Sequence, residues 1–311
     1  VKTALVTGFT GQDGTLLSEY LLSLDYRVIG LVRRISGERI TRISHPNLVI
    51  FDGDLTSVAS LIDCVAKYPP DEVYNLAAQS HVATSFQQPD MTSMVDYLGL
   101  MNLVTALKTL RQLPKLYQAS SSEMYGTGHN EPINENTPFN PNSPYAIAKT
   151  AAHYYIRSLK SQGWFACAGI LFNHESEIRG HDFVTQKIAK AAATDQFVEL
   201  GNIFAKRDWG YARDYVKAMH LMMQQPEPDE YVIGTGVAHT VMDFVDEASA
   251  CIGKPLAVLT SKKYMRPLDV SCLIADASKA KRVLGWEPTV TFKELVKLMV
   301  DHQKELHENN H

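Results

Sequence analysis

Two short stretches of the chain hold residues that could do chemistry together. "YQASSSEMYG", residues 117–126, is an apolar, strand-like run that ends in three serines and a glutamate, and "SPYAIAK", residues 143–149, opens a helix with a tyrosine and a lysine one turn apart. Ser143 is suited to cap that helix and Pro144 to its first position, so Tyr145 and Lys149 stand at i and i+4 on one face. An ammonium beside a phenol favours the phenolate and lowers the tyrosine's pKa from about 10 toward neutrality. Such a tyrosine can take a proton from a hydroxyl while hydride leaves the same carbon, and the lysine can also hold a nicotinamide ribose. A tyrosine and lysine at this spacing are common on helices and mostly inert, so their meaning rests on the elements in front of them.

Those elements alternate. "TALVTG", "RVIGLVRR", "LVIFDGDL", "EVYNLAAQS" and "KLYQASSS" read as strands, with "FACAGILFN" and "EYVIGTG" adding two more, and helical stretches such as "MTSMVDYLGLMNLVTALKTL" lie between. The strands are continuously apolar rather than two-sided, which predicts an α/β fold with a Rossmann-like, doubly wound parallel sheet covered by helices on both faces. After about Phe172 the rhythm changes to loop and helix, ending in "DASKAKRVLGWEPTVTFKELVKLMVDHQKEL" as helix, turn, helix. The expected division is a dinucleotide-binding domain over 1–172, with sheet contributions from about 208–236, and a smaller α/β substrate-binding lobe over 173–207 and 237–311. The tail "HQKELHENNH" reads as frayed.

Directly after the first strand, "TGFTGQDG" sets Gly8, Gly11 and Gly14 at G-x-x-G-x-x-G spacing, with Thr10, Gln12 and Asp13 between them. Glycine permits a tight turn and close backbone approach, and a helix N-terminus offers N–H groups and a positive dipole end to a diphosphate. An NAD site usually carries an Asp or Glu at the end of the second strand. Here that position reads "LVRR", so Arg33 and Arg34 can pair with a 2′-phosphate and the expected cofactor is NADP.

Composition bounds the rest. The chain has 311 residues, 45% hydrophobic and 21% charged, with a net charge of −4, which is length enough for a sizeable core and gives no global reason to expect nucleic acid or an anionic membrane as partner. Cys64, Cys167, Cys251 and Cys272 are widely spaced and form no CxxC pair, which predicts free thiols and no metal site. Neither a secretory leader nor a bilayer-length apolar run is read in the sequence, and a cytoplasmic protein is expected.

The glycine loop, the serine-ended strand and the Tyr–Lys helix together resemble the extended short-chain dehydrogenase/reductases. "VYNLAAQSHV", "YQASSSEMYG", "SPYAIAK", "GILFNHES", "FVTQKI", "RDWGYARDYV" and "KAKRVLGW" narrow the resemblance to the GDP-mannose 4,6-dehydratase branch over nearly the full chain, with "FNHES" and "RDWG" specific to it. The resemblance implies NADP, a GDP-sugar substrate and a homodimer or homotetramer. It makes Tyr145 the oxidation base, Lys149 its partner, Ser121 a donor to the C4 oxygen and Glu123 the group that distinguishes a dehydratase. With C4 a ketone the C5 proton is acidic, and a nearby carboxylate can remove it while assisting loss of the C6 hydroxyl. By the same resemblance Asp54 and Leu55 meet adenine. Leu76, Ala77, Ala78, Gln79 and Ser80 line the cofactor, with Ser80 near the sugar, and His174 and Arg179 are further cofactor contacts. Asn173, Val184, Lys187, Arg207, Arg266 and Asp269 correspond to GDP-sugar contacts. The chain departs from the family at Glu177 and Ile178, where a proline and its neighbour are usual, and in shorter loops after "VRR" and after "QKI". The shorter loops make another GDP-sugar, such as a GDP-manno-heptose, the alternative substrate, and the change at Glu177 and Ile178 bears on the tetramer. A nucleotide-sugar epimerase or reductase is the further alternative, against which Glu123 argues.

Overall fold

The computed structural model describes residues 1–33, 43–129, 131–265, 270 and 272–309. It divides into two compact units: Val1–Gly126, Pro138–Ile170 and Val216–Tyr231 form the first, and Thr127–Thr137, Leu171–Tyr215 and Val232–His311 the second.

The first unit is built on β1 (Thr3–Thr7), β2 (Arg27–Val32), β3 (Leu48–Asp52), β4 (Glu72–Asn75), β5 (Lys115–Ser121) and β6 (Ala166–Leu171). With the edge strand Glu230–Ile233 they make a seven-stranded sheet in the order Glu230–Ile233, β6, β5, β4, β1, β2, β3. The pairs β1–β2, β1–β4, β2–β3 and β4–β5 are parallel, and the order 3-2-1-4-5-6 is that of a doubly wound nucleotide-binding sheet. The predicted fold class is the one observed. Residues such as Leu5, Ile29, Val73 and Leu116 are fully buried and pack with Leu100, Leu103, Ala152 and Ile156 from the covering helices, which is why these strands read as unbroken apolar runs.

The helices of this unit are α1 (Gln12–Ser23), α2 (Val58–Lys67), α3 (Val82–Gln87), α4 (Pro89–Ser93), α5 (Gly99–Leu107) and α6 (Pro144–Ser161). The stretch expected as one plain helix before β5 is α4 and α5 joined by a π-helical turn over Met94–Leu98. Such a turn inserts an extra residue into the hydrogen-bond ladder and rotates the later residues about the helix axis, and it often marks a functional site. Here it carries Asp96, only 2% exposed.

The second unit has three small ribbons: Asn173–Glu175 with Trp209–Tyr211, Val198–Leu200 with Val258–Thr260, and Lys206–Arg207 between His239–Thr240 and Cys272–Leu273. Its helices are α7 (Val184–Ala193), α8 (Ala212–Met223, which runs on into the first unit), α9 (Val241–Ile252), α10 (Ser278–Leu284) and α11 (Phe292–Glu308). Ile188, Trp209, Phe244, Val245, Val296 and Met299 form its core. Thr240 and Thr291 each open a helix with a reciprocal capping box, to Asp243 and Glu294, and Gly285 ends α10 in the left-handed region. The tail is not frayed as expected: α11 continues to Glu308, held by the burial of Gln303 and by Lys304 Nζ donating to the Cys251 carbonyl at 3.0 Å.

Among the described residues no helix is long and apolar enough to cross a membrane. Cys64, Cys167, Cys251 and Cys272 are all free thiols, and burial pushes Cys64 and Cys167 up to about 12.

Candidate active site

The loop between β1 and α1 needs its glycines for different reasons. Gly8 has a φ of 66°, and a Cβ there would lie 2.7 Å from the Ala77 nitrogen. A Cβ on Gly14 would lie 2.2 Å from the Gly8 carbonyl oxygen. The loop closes with the Gly11 N–H donating to the Gly8 carbonyl at 3.0 Å. Gly11 is the N-cap of α1 and makes no side-chain capping hydrogen bond, a helix end of the kind that receives an anion such as a diphosphate. The backbone-lined cradle and the uncapped helix end fit a dinucleotide. Arg33 is exposed at the end of β2; Arg34 lies outside the described residues.

Behind this loop a buried polar ladder ties the carboxyl ends of the strands. Thr7 Oγ1 donates to Asn75 Oδ1 at 2.7 Å and accepts from the N–H groups of Leu76 and Ala77, both at 3.1 Å. Asn75 Nδ2 donates to Gln118 Oε1 at 2.7 Å, and Gln118 Nε2 to the Ala119 carbonyl at 3.1 Å. Lys149 Nζ ends the ladder by donating to the same carbonyl at 3.0 Å. Leu76 and Ala77, the strand that feeds the glycine loop and Lys149 are thereby set in one frame.

The local structure of the chemistry stretch agrees with its sequence. Ser143 Oγ accepts from the Ala146 N–H at 3.1 Å and Pro144 takes the first turn of α6. Lys149 Nζ then stands 5.8 Å from the centre of the Tyr145 ring. On β5, Ser121 Oγ accepts from the Glu123 N–H at 3.2 Å, which leaves its own O–H to donate. Glu123 sits on a 3-10 turn, Ser122–Tyr125, that packs against α6. Ser121, Glu123, Tyr145 and Lys149 are each at least nine-tenths buried.

Electrostatics centre on Lys149. Burial pushes its ammonium down from the ordinary value, and the carboxylates of Asp96 and Asp13 oppose that. Asp96 itself is raised to about 6, by burial first, against the lowering influence of Lys149 and of the Gln79 N–H, which donates to Oδ1 at 2.7 Å. Its Oδ2 is buried without a hydrogen-bond partner. A carboxyl raised on folding favours the protonated native state. The stability it contributes is complete below its unfolded value, near 4, and is lost as pH rises through about 6. Asp96→Asn removes that loss, so its stability relative to the wild type is expected to rise between pH 4.5 and pH 7 by on the order of 2–3 kcal/mol. Urea denaturation at the two pH values checks it; an unchanged difference would mean that Asp96 does not titrate in this range.

The other positions singled out in the sequence fall in both units. In the first, Asp54 Oδ1 accepts from the Thr56 N–H at 2.8 Å, and Leu55 is buried with its carbonyl accepting from Asn102 at 2.8 Å. In the second unit, His174 Nδ1 meets the Phe172 carbonyl at 2.7 Å and its ring stacks on Tyr215 at 4.6 Å. Arg179 pairs with Glu175 at 3.0 Å and lies 3.5 Å over the Phe183 ring. Lys187 stands 4.5 Å over Tyr264. Arg207 is buried and donates to the Val270 and Lys206 carbonyls at 2.6 and 2.9 Å. Asn173 lies on the short strand Asn173–Glu175, and Val184 opens α7. Arg266 and Asp269 lie outside the described residues. Glu177, at the position where the family usually has proline, pairs with Arg213 at 2.9 Å.

Sequence reasoning missed Asp96, although a lone carboxylate in the apolar run "MVDYLGL" is a signal. It also missed Asn75 and Gln118, polar residues inside buried strands.

The nucleotide-binding sheet, the uncapped glycine loop and the serine, tyrosine and lysine at β5 and α6 define an extended short-chain dehydrogenase/reductase. Within that class, the family model described as GDP-mannose 4,6 dehydratase matches residues 5–299, and the chain belongs to that family. "GDP-mannose 4,6 dehydratase 1" of Arabidopsis thaliana is 47% identical over 98% of this chain and 90% of its own length. The Homo sapiens GDP-mannose 4,6 dehydratase is 42% identical over 99% and 93%. Among solved structures, Thermus thermophilus UDP-glucose 4-epimerase in complex with NAD superposes with a TM-score of 0.87 at 27% identity, over 97% of this chain and 99% of that one.

Proposed function

We propose that the protein is an NADP-dependent hydro-lyase that converts GDP-mannose to GDP-4-keto-6-deoxymannose. The observation that carries this reading is Glu123, two residues past Ser121 on a turn packed against the helix of Tyr145 and Lys149. Family membership supports it. The cofactor, when bound, supplies an acceptor for the hydride at C4 and a donor for its return at C6. Lys149 favours the phenolate of Tyr145 and holds the cofactor's ribose, and Tyr145 takes the C4 hydroxyl proton. Ser121, oriented by the Glu123 N–H, donates to the C4 oxygen. Glu123 removes the C5 proton and assists departure of the C6 hydroxyl as water. The C5–H and C6–O bonds break, the hydride returns to C6 and the proton taken by Tyr145 goes to C5, so no net redox change remains. The GDP-sugar is assigned to Ser80, Glu123, Asn173, Val184, Lys187, Arg207, Arg266 and Asp269. The first unit is accordingly the NADP-binding domain and the second the substrate-binding one. Incubation with GDP-mannose and, in parallel, a GDP-manno-heptose tests the substrate. Dehydration of GDP-mannose with the higher kcat/KM is expected, and preference for the heptose would move the assignment to that sugar.

NADP rather than NAD is proposed from Arg33 and Arg34, at the strand end where NAD sites carry an acid. Losing a charge-assisted phosphate contact costs about 1.5–3 kcal/mol, so replacing both arginines with alanine should weaken NADP binding more than tenfold and leave NAD binding nearly unchanged. Equal losses in a titration with the two cofactors would refute the assignment.

Self-association is proposed through one helical face. Met91, Met94, Leu98 and Met101 are exposed at helical spacing, and Ile147 and Tyr154 are exposed on α6, which packs beside them. A second copy of the chain would cover this apolar stripe. Light scattering at micromolar concentration should give a dimer or tetramer; a monomer would end the idea. A cytoplasmic location is proposed from the free thiols, which suit a reducing compartment.

A further inference from the structure

One turn beyond Lys149 on α6, His153 is completely buried between two polar partners. Its Nδ1 lies 2.8 Å from Ser120 Oγ on β5, and its Nε2 lies 2.8 Å from Glu230 Oε2 on the edge strand. Glu230 also takes a two-pronged contact from Arg157, at 2.9 and 2.6 Å. Burial works to raise the Glu230 carboxyl, but hydrogen bonds from His153 and Arg157 outweigh it and bring it down to about 2. It is therefore ionised at neutral pH and can only accept, so the proton between the two residues sits on Nε2. Nδ1, on the other side of the ring, faces the Ser120 hydroxyl. Phe139 closes the site with its ring 5.1 Å from that of His153, edge to face.

Tyr145, Lys149 and His153 recur every four residues on one face of α6. The two rungs below Tyr145 are anchored at successive residues of β5: Lys149 at the Ala119 carbonyl and His153 at the Ser120 hydroxyl. The next residue is Ser121. We propose that His153 is a positioning residue for the dehydratase reaction: held by Glu230, its ring fixes Ser120 and with it the strand end carrying Ser121 against the helix face carrying Tyr145. The inference rests on the function proposed above and goes beyond it, since His153 touches neither substrate nor cofactor.

The test separates the two bonds of the ring. In His153→Asn the amide can reach the Nδ1 position and keep Ser120, whereas in His153→Gln it reaches the Nε2 position and keeps Glu230. Ser120→Ala breaks the same rung from the strand with the smallest change. Small misplacements of reacting groups cost up to about 100-fold, so Ser120→Ala and His153→Gln should lower kcat about 10- to 100-fold with KM and NADP affinity within about twofold. His153→Asn should recover most of the loss, and Ser120→Ala combined with His153→Gln should be no slower than the slower single variant. Melting temperature and NADP binding, measured on the same proteins, report whether each variant is folded. Wild-type kcat in folded Ser120→Ala and His153→Gln, or an equal loss in His153→Asn, would overturn the positioning role alone. A wild-type protein inert toward GDP-sugars would overturn the proposed function and this role with it.

Discussion

Glu123→Gln is expected to slow dehydration of GDP-mannose by about 10²–10⁴-fold, the usual contribution of a general acid–base group. The substitution keeps the side chain's shape and the backbone N–H that Ser121 Oγ accepts at 3.2 Å. It removes the group able to take the C5 proton. Tyr145, Lys149 and Ser121 remain, so oxidation at C4 can proceed, and the sugar recovered from the enzyme should include a 4-keto hexose that has not lost water. Solvent deuterium should not enter C5. An enzyme that dehydrates at near wild-type rate with glutamine at this position would remove Glu123 from the mechanism, and with it the distinction between a dehydratase and an epimerase.

Tyr145→Phe should fail earlier. The ring can stay packed near the Lys149 ammonium, which stands 5.8 Å from the centre of the tyrosine ring, but no oxygen is left to take the C4 proton. The overall rate should again fall by about 10²–10⁴-fold. In contrast to Glu123→Gln, no 4-keto sugar should form, and without that ketone C5 never becomes acidic. Mass spectrometry of quenched mixtures distinguishes the two: unchanged GDP-mannose for Tyr145→Phe, undehydrated 4-keto sugar for Glu123→Gln. Identical outcomes would mean that the two residues do not divide the reaction as assigned.

Both side chains were legible in the sequence because local signals set them. The Ser143 cap, the proline at the first helical position and the four-residue spacing depend on neighbours along the chain, and the structure reproduces each. The glycine loop was legible for the same reason, its turn being closed by the Gly8 carbonyl and the Gly11 N–H. The features that escaped depend on partners far apart in sequence. Asp96 is visible as a lone acid, but its burial and its influence on Lys149 come from the π turn, which no periodicity announces. His153 reads as an ordinary helical residue until Ser120 and Glu230 are brought to it. The ribbons of the second unit have strands of two or three residues, too short for an alternating pattern. Arg207 was read as a GDP-sugar contact from the family resemblance, and its bonds to the Val270 and Lys206 carbonyls come from tertiary structure. At the chain's end, polar residues suggested fraying, whereas the capping box at Thr291 and the buried face of α11 carry the helix on to Glu308.

The proposed mechanism requires that one active site oxidise, dehydrate and reduce the same sugar. Mass spectrometry of GDP-mannose incubated with the NADP-loaded protein in deuterated water, with no other oxidant or reductant, probes this requirement without intermediaries. The expected product lacks the elements of one water and carries one solvent deuterium, located at C5. A sugar that keeps all its oxygen, or a product that appears only as added NADPH is consumed, would contradict the mechanism.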